Sequence, residues 1–254
     1  MSPQPAAAPA GHTEAVGRTT PRPPAVGVSF ADTDALPGLP STLHARARSL
    51  GSAVRSRCAD LARIESPTGD SARLNALAEE LGAGYAATGA RVHRVPNEAG
   101  DHLVMDWPGR DESLSPLLVV GHHDTVWPVG TLADWPVEER DGALTGPGVL
   151  DMKAGLALVE GAFALLSDLG QRPHRPVRLV VVADEELGSP DGRKLVERQL
   201  AGAAAVLGLE PPAGAAVGSG SPSPAGRPMR ATTPRWASRR WTNLSTNWCW
   251  YAAW

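Results

Sequence analysis

Cysteine is scarce in this sequence: Cys58 and Cys249 are the only two. Two thiols cannot build the disulfide framework of a small secreted domain. No apolar run approaches the roughly 18 residues that a membrane span needs, which argues against an integral membrane protein. Phe and Tyr are rare, two of each against eight Trp, and a net charge of −3 gives no global pull toward nucleic acid. Acid is missing altogether after Glu210, where five arginines stand in the last 44 residues. What is present is a chain of 254 residues, 42% hydrophobic, long enough for one sizeable core.

Residues 1–40 are dominated by Pro, Ala and Gly, as in PQPAAAPAG and TTPRPPAVG. Such a segment has few large apolar groups to offset chain entropy and is expected to be disordered. It lacks the continuous apolar stretch of a secretory signal, which together with the cysteine usage points to the cytoplasm. From Ser41 the pattern changes. Leu43, Ala47, Leu50, Val54, Cys58, Leu61 and Ala62 recur at helical spacing. The stretch ESPTGDSARLNALAEELGAGYAATG reads as a turn and a helix, with Thr68 or Asp70 as N-cap and Gly82, Gly84 or Gly89 as terminator. Extended runs RVHRVP, HLVMDW and LLVVGHHD follow, then a Gly-rich stretch, a helix from Met152 to about Leu169, the strand VRLVVVAD, the helix DGRKLVERQL and the strand AAVLGLE. Strands alternating with helices predict an α/β fold with a mostly parallel sheet flanked by helices, in which function gathers at the C-terminal strand ends.

Four places carry acids or histidines at such ends. LLVVG runs into His122-His123-Asp124. Residues i and i+2 of a strand share a side, so Asp124 can reach His122, set its tautomer and leave the other nitrogen for a metal; a plain polar strand terminus is the alternative. In TGPGVLDMKAG, Asp151 is either the N-cap of the next helix or a carboxylate displayed by the tight loop. In VVVADEELGS, three consecutive acids follow a buried strand. That is costly at close range unless a cation or proton sits among them, though solvated acidic loops are common. Glu210 follows the last strand and is pinned by Pro211 and Pro212, as a surface turn would also be. Together these residues are a mixed nitrogen and oxygen donor set that suits zinc or a similar divalent ion.

In order and spacing, GHHDTV, GPGVLDMKAG, ADEELGS and LEPPAG resemble the zinc-dependent metallopeptidase and amidohydrolase family of glutamate carboxypeptidase, acetylornithine deacetylase, succinyl-diaminopimelate desuccinylase and aminoacylase. LARIESPTGD is similar to its N-terminal region, and HHDTVWPVGTL with EELGSPDGRKL is nearest the glutamate-carboxypeptidase branch. The resemblance spans residues 42–217. It implies two divalent metal ions, zinc before cobalt or manganese. His122 and Glu210 would hold one metal, Glu186 the other, and Asp151 would bridge. Asp124 would orient His122, and Glu185 would be the general base. The implied reaction is hydrolysis of an amide or peptide bond in a small N-acyl amino acid or dipeptide-like substrate. His123 and Met152 fall at variable positions and receive no role. A non-catalytic metal-binding or partner-binding remnant is the alternative.

The family also places a dimerisation domain with a HAG-type histidine, and then a last histidine ligand, beyond the fourth motif. No histidine follows His174 here. Residues 41–217 are therefore read as the N-terminal part of a catalytic domain, C-terminally truncated, and residues 218–254 as an aberrant, disordered tail. The codons of Pro228-Met229-Arg230-Ala231, read two bases on, can encode His-Ala-Gly, and 22 arginines against two lysines suggest a G/C-rich gene. A frameshift near 217–227 is the expectation. The competing reading, a basic Trp-rich arm for membranes or single-stranded nucleic acid, is disfavoured by the breakers PSPAGRP and TTPRW.

Overall fold

The apolar spacing that begins at Leu43 forms two helices, α1 (Ser41–Ser49) and α2 (Gly51–Arg63), interrupted at Leu50. The computed structural model describes residues 41–140 and 142–211. The segments 1–40 and 218–254, with the expectations attached to them, lie outside the described residues. Helix α3 (Ser71–Ala87) is capped by Asp70, whose carboxylate accepts the Arg73 backbone N–H at 3.2 Å. It runs through Gly82 and Gly84 and stops before Gly89, where φ is +89°. Leu74, Leu77, Ala78, Leu81 and Tyr85 form its buried stripe.

The main sheet contains β1 (Arg91–Val95), β2 (His102–Trp107), β3 (Leu117–His122), β6 (Val177–Val182) and β7 (Ala205–Gly208) in the order β1-β2-β6-β3-β7. Strands β3, β6 and β7 are mutually parallel. Strand β2 runs against both β1 and β6, so four of the five strands point the same way. The reversal at β2 has a local cause. Only residues 96–101 join β1 to β2, too few for a crossover. After β3 come a short helix, α4 (Thr131–Asp134), and a small ribbon, β4 (Glu138–Arg140) with β5 (Ala143–Thr145), which leads into the Gly-rich stretch.

Alternation along the inner strands explains their nearly unbroken apolar sequence. Leu103, Met105 and Trp107 of β2 and Val177, Leu179 and Val181 of β6 join one core with α2, α3 and helix α5 (Ala154–Asp168). Val104, Val180 and Val182 join a smaller core with Leu195 of helix α6 (Gly192–Leu200). Both faces of the sheet are thus covered, as a buried strand requires. Each fully buried large aliphatic contributes about 1.5–3 kcal/mol relative to exposure. In the larger core Trp107 stacks on Phe163 at 3.7 Å and meets Tyr85 edge-on at 5.7 Å. Its indole N–H donates to Thr88 Oγ1. Among the described residues no helix is long and apolar enough to cross a membrane.

Candidate metal centre

Because β3, β6 and β7 are parallel, their C-terminal ends open on one edge of the sheet. His122 is the last residue of β3, while Asp184 and Glu210 each lie two residues beyond their strands. Glu185 and Glu186 form a single 3-10 turn with Leu187. Asp151 comes from a wide turn, Val149–Lys153, that follows Gly148. Gly148 has φ +67°, and a Cβ there would meet Thr125 Cγ2 at 2.8 Å, so the loop's approach to the site requires glycine. Asp151 has extended geometry (φ −118°, ψ 98°), and α5 begins only at Ala154 with no side-chain cap. The N-cap reading of Asp151 is therefore corrected: its carboxylate is displayed by the loop. The helix starts later than the Met152 expected because this turn intervenes.

The loops bring all six expected residues into one cluster. His122 Nε2 lies 2.9 Å from Asp151 Oδ1 and 3.5 Å from Glu210 Oε1. Ligand atoms of His122, Asp151 and Glu186 all fall within 4.8 Å of one another. On the other side of the ring, Nδ1 is 3.0 Å from the Asp124 carbonyl oxygen and 3.3 Å from Asp124 Oδ1. Both partners accept, which assigns the hydrogen to Nδ1. The Nε2 lone pair then faces two carboxylates, an arrangement relieved only by a proton or a cation. The donor chemistry therefore fits a divalent metal.

The carboxylates press the same point electrostatically. Burial, reinforced by Asp151, Glu185 and Asp124 against the opposing charge of His122, pushes Glu186 up to about 8. Burial and the same kind of neighbours push Glu210 up to about 7, and raise Glu185 too. Burial works against a charged His122, but its contacts with Asp124, Asp151 and Glu210 overcome this and raise it well above the usual histidine value. Asp124 is also buried, which opposes its charge, yet hydrogen bonds from His122, Thr68 and the Glu186 backbone hold it below the ordinary carboxylate value.

Several contacts around the cluster carried no signal in the sequence. Asp124 accepts the backbone N–H groups of Glu185 (3.2 Å) and Glu186 (3.1 Å) as well as the Thr68 hydroxyl (2.9 Å). Met152, without a role by spacing, accepts the backbone N–H of His122 on Sδ at 3.0 Å. The buried Lys153 ammonium donates to the Ile64 carbonyl. Asp184, first of the three consecutive acids, accepts the N–H groups of Asp191 and Gly192 at the start of α6. That first acid is structural, which run-length alone could not reveal.

Residues 118–231 match the model of peptidase family M20/M25/M40. The chain is 32% identical over 154 residues to carboxypeptidase G2 of Pseudomonas sp. (strain RS-16), covering 59% of this chain and 37% of that protein. It is 32% identical over 144 residues to succinyl-diaminopimelate desuccinylase 2 of Ruegeria sp. (strain TM1040), covering 54% and 35%. Among solved structures, human carnosine dipeptidase 1 shares the fold with a TM-score of 0.59 at 19% identity, over 67% of this chain and 41% of that one. The matched stretch thus spans little more than a third of these two curated relatives.

Proposed function

We propose, from the match of residues 118–231 to the model of peptidase family M20/M25/M40, that this protein is a metal-dependent hydrolase. Its substrate would be an amide or peptide bond in a small N-acyl amino acid or dipeptide-like molecule. The supporting observation is the cluster in which His122 Nε2 faces Asp151 and Glu210 while its Nδ1 is committed to Asp124. His122, Asp151 and Glu210 would hold one divalent ion, and Asp151 with Glu186 a second, zinc before cobalt or manganese. When bound, the metal supplies Lewis acidity, polarising the scissile carbonyl and acidifying water.

The chain's own groups would do the rest. Asp124 keeps the His122 ring oriented and its Nε2 free of hydrogen. Its carboxylate also holds the backbone of Glu185, whose side chain would take a proton and pass it to the leaving amine. Burial raises the proton affinity of Glu185, which suits a group that must both accept and return a proton. The catalytic unit would comprise residues 41–217, acting on small substrates rather than nucleic acid or membranes, in the cytoplasm.

The test is metal content and turnover of the purified chain on N-acyl amino acids and dipeptides with zinc, cobalt or manganese. Glu185→Gln is expected to keep metal and lose about 10²–10⁴-fold in turnover. Stoichiometric metal without turnover in the unaltered chain would overturn the reading and leave a metal-binding remnant.

A further inference from the structure

The ESPTGD segment lies before the residues that match the family model, which begins at Leu118. Nothing in the proposed reaction uses it, yet the structure ties it tightly to the end of β3. Pro67 bridges Thr125 in parallel fashion. The Thr125 N–H donates to the Ser66 carbonyl at 2.9 Å, and the Thr68 N–H donates to the Thr125 carbonyl at 3.1 Å. The buried Ser66 hydroxyl donates to the His123 carbonyl at 2.8 Å. The Thr68 hydroxyl lies 2.9 Å from Asp124 Oδ2 and 3.1 Å from the Thr125 carbonyl. Its single hydrogen favours the carboxylate, which is nearer and charged.

Asp124 is fully buried and meets donors from three places: the His122 ring, the Glu185–Glu186 turn and Thr68. Oδ2 is shared between the Thr68 hydroxyl and the Glu186 N–H. A carboxylate can rotate about its Cβ–Cγ bond, and such rotation would release the acidic turn and the histidine together. We propose that Thr68 is a positioning residue for the whole cluster: its hydroxyl locks the Asp124 carboxylate in the one rotation that holds both the His122 ring and the Glu185–Glu186 backbone. The first and third motifs of the site are thereby coupled through a residue of the N-terminal segment. This deepens the functional reading above and rests on it only where metal is concerned.

The primary test needs no metal. Backbone amide exchange is followed at Glu185 and Glu186 in the metal-free chain for wild type, Thr68→Val, Thr68→Ala and Thr68→Ser. Valine keeps the shape and removes the donor, alanine guards against a misfolded valine variant, and serine restores the donor. Thr68→Val and Thr68→Ala are expected to speed exchange at Glu185 and Glu186 by roughly tenfold, the scale of one hydrogen bond to a charged group. Thr68→Ser should stay near wild type. The amides of Asp191 and Gly192, held by Asp184 instead, should not change; a merely structural loosening would move both pairs. Unchanged exchange at Glu185 and Glu186, or acceleration that serine fails to rescue, overturns the proposal. A second arm measures zinc and cobalt affinity by calorimetry. Thr68→Val should bind roughly tenfold more weakly, the lower end for loss of an outer partner of a metal site. A wild-type chain that binds neither metal refutes the functional reading, while the exchange result still decides the role of Thr68.

Discussion

Between α2, α3 and α5 the fold gathers Glu80 and Glu160 around Arg57. The Arg57 Nε lies 2.9 Å from Glu160 Oε1, and its other nitrogens bind the Glu80 side chain and carbonyl. At the strand ends it gathers Asp151, Glu186 and Glu210 around His122. Each group holds a largely buried glutamate, Glu160 in one and Glu210 in the other, but only the first carries its own permanent cation. Burial opposes the charge on Arg57, and the hydrogen bonds and charges of the two glutamates overcome it and raise its pKa. Burial raises Glu160 as well, but the strand-end group has a titratable imidazole in place of the guanidinium, and there Glu186 is pushed up to about 8 and Glu210 to about 7. The first group, with a fixed cation between two acids, ties helices together; the second has no fixed cation, and its donor set fits one.

The largest effect is expected from removing a donor from the strand-end group. Asp151→Ala or His122→Ala should weaken zinc binding by more than about 100-fold, since even outer partners of a metal site are worth 10–100-fold. The metal-free melting temperature should change little for Asp151→Ala, which thins the crowded carboxylates, and should fall for His122→Ala, which leaves buried Asp124 without its imidazole partner. Calorimetry and thermal melts report both quantities.

Removing the built-in cation should act on stability instead. Arg57→Met leaves Glu160 largely buried without its partner, with only 14% of that side chain exposed. A loss of about 2–3 kcal/mol in denaturant unfolding is expected, below the full cost of breaking a buried pair because Arg57 is partly exposed. The metal affinity of the folded protein should be unchanged. Restoring stability in the double variant with Glu160→Met would sharpen the point.

The smallest effect is one of pH. Folding raises Glu210 to about 7 and Glu186 to about 8, so the metal-free fold binds more protons than the unfolded chain. Stability contributed by this protonation is present below the ordinary glutamate value and is lost as pH rises through 7 to 8. The metal-free melting temperature should therefore fall between pH 6 and 8. Metal affinity should rise over the same interval, by up to about tenfold per pH unit for each proton displaced. Equal pH trends with and without metal would count against a cation-receiving cluster.

The helices and strands were readable because their signals are local. The stripe in α3, the cap at Asp70 and the β-branched run of β6 each announce an element within a few residues. The ribbon β4–β5 and the late start of α5 were not readable, because the turn at Val149–Lys153 has no periodic signature. The chemistry-bearing residues stood out as acids and histidines after apolar runs. Among Asp184, Glu185 and Glu186, however, charge alone did not say which one faces α6, and Thr68 looked like a helix cap rather than a partner of Asp124.

From the sequence alone came the α/β class, the strand ends as the place for function and the identity of His122, Asp124, Asp151, Glu185, Glu186 and Glu210 as candidates. Short-range periodicity and turn chemistry place acids and histidines at the strand ends, and the family resemblance selects these six among them. Only the tertiary structure decided that Asp151 leaves its helix, that Asp184 caps another and that Asp124 is shared among His122, Thr68 and the acidic turn. The Thr68–Asp124 contact joins residues 56 positions apart. Contacts of that kind depend on which strands become neighbours and where the intervening loops fold back, which no local pattern of side chains encodes.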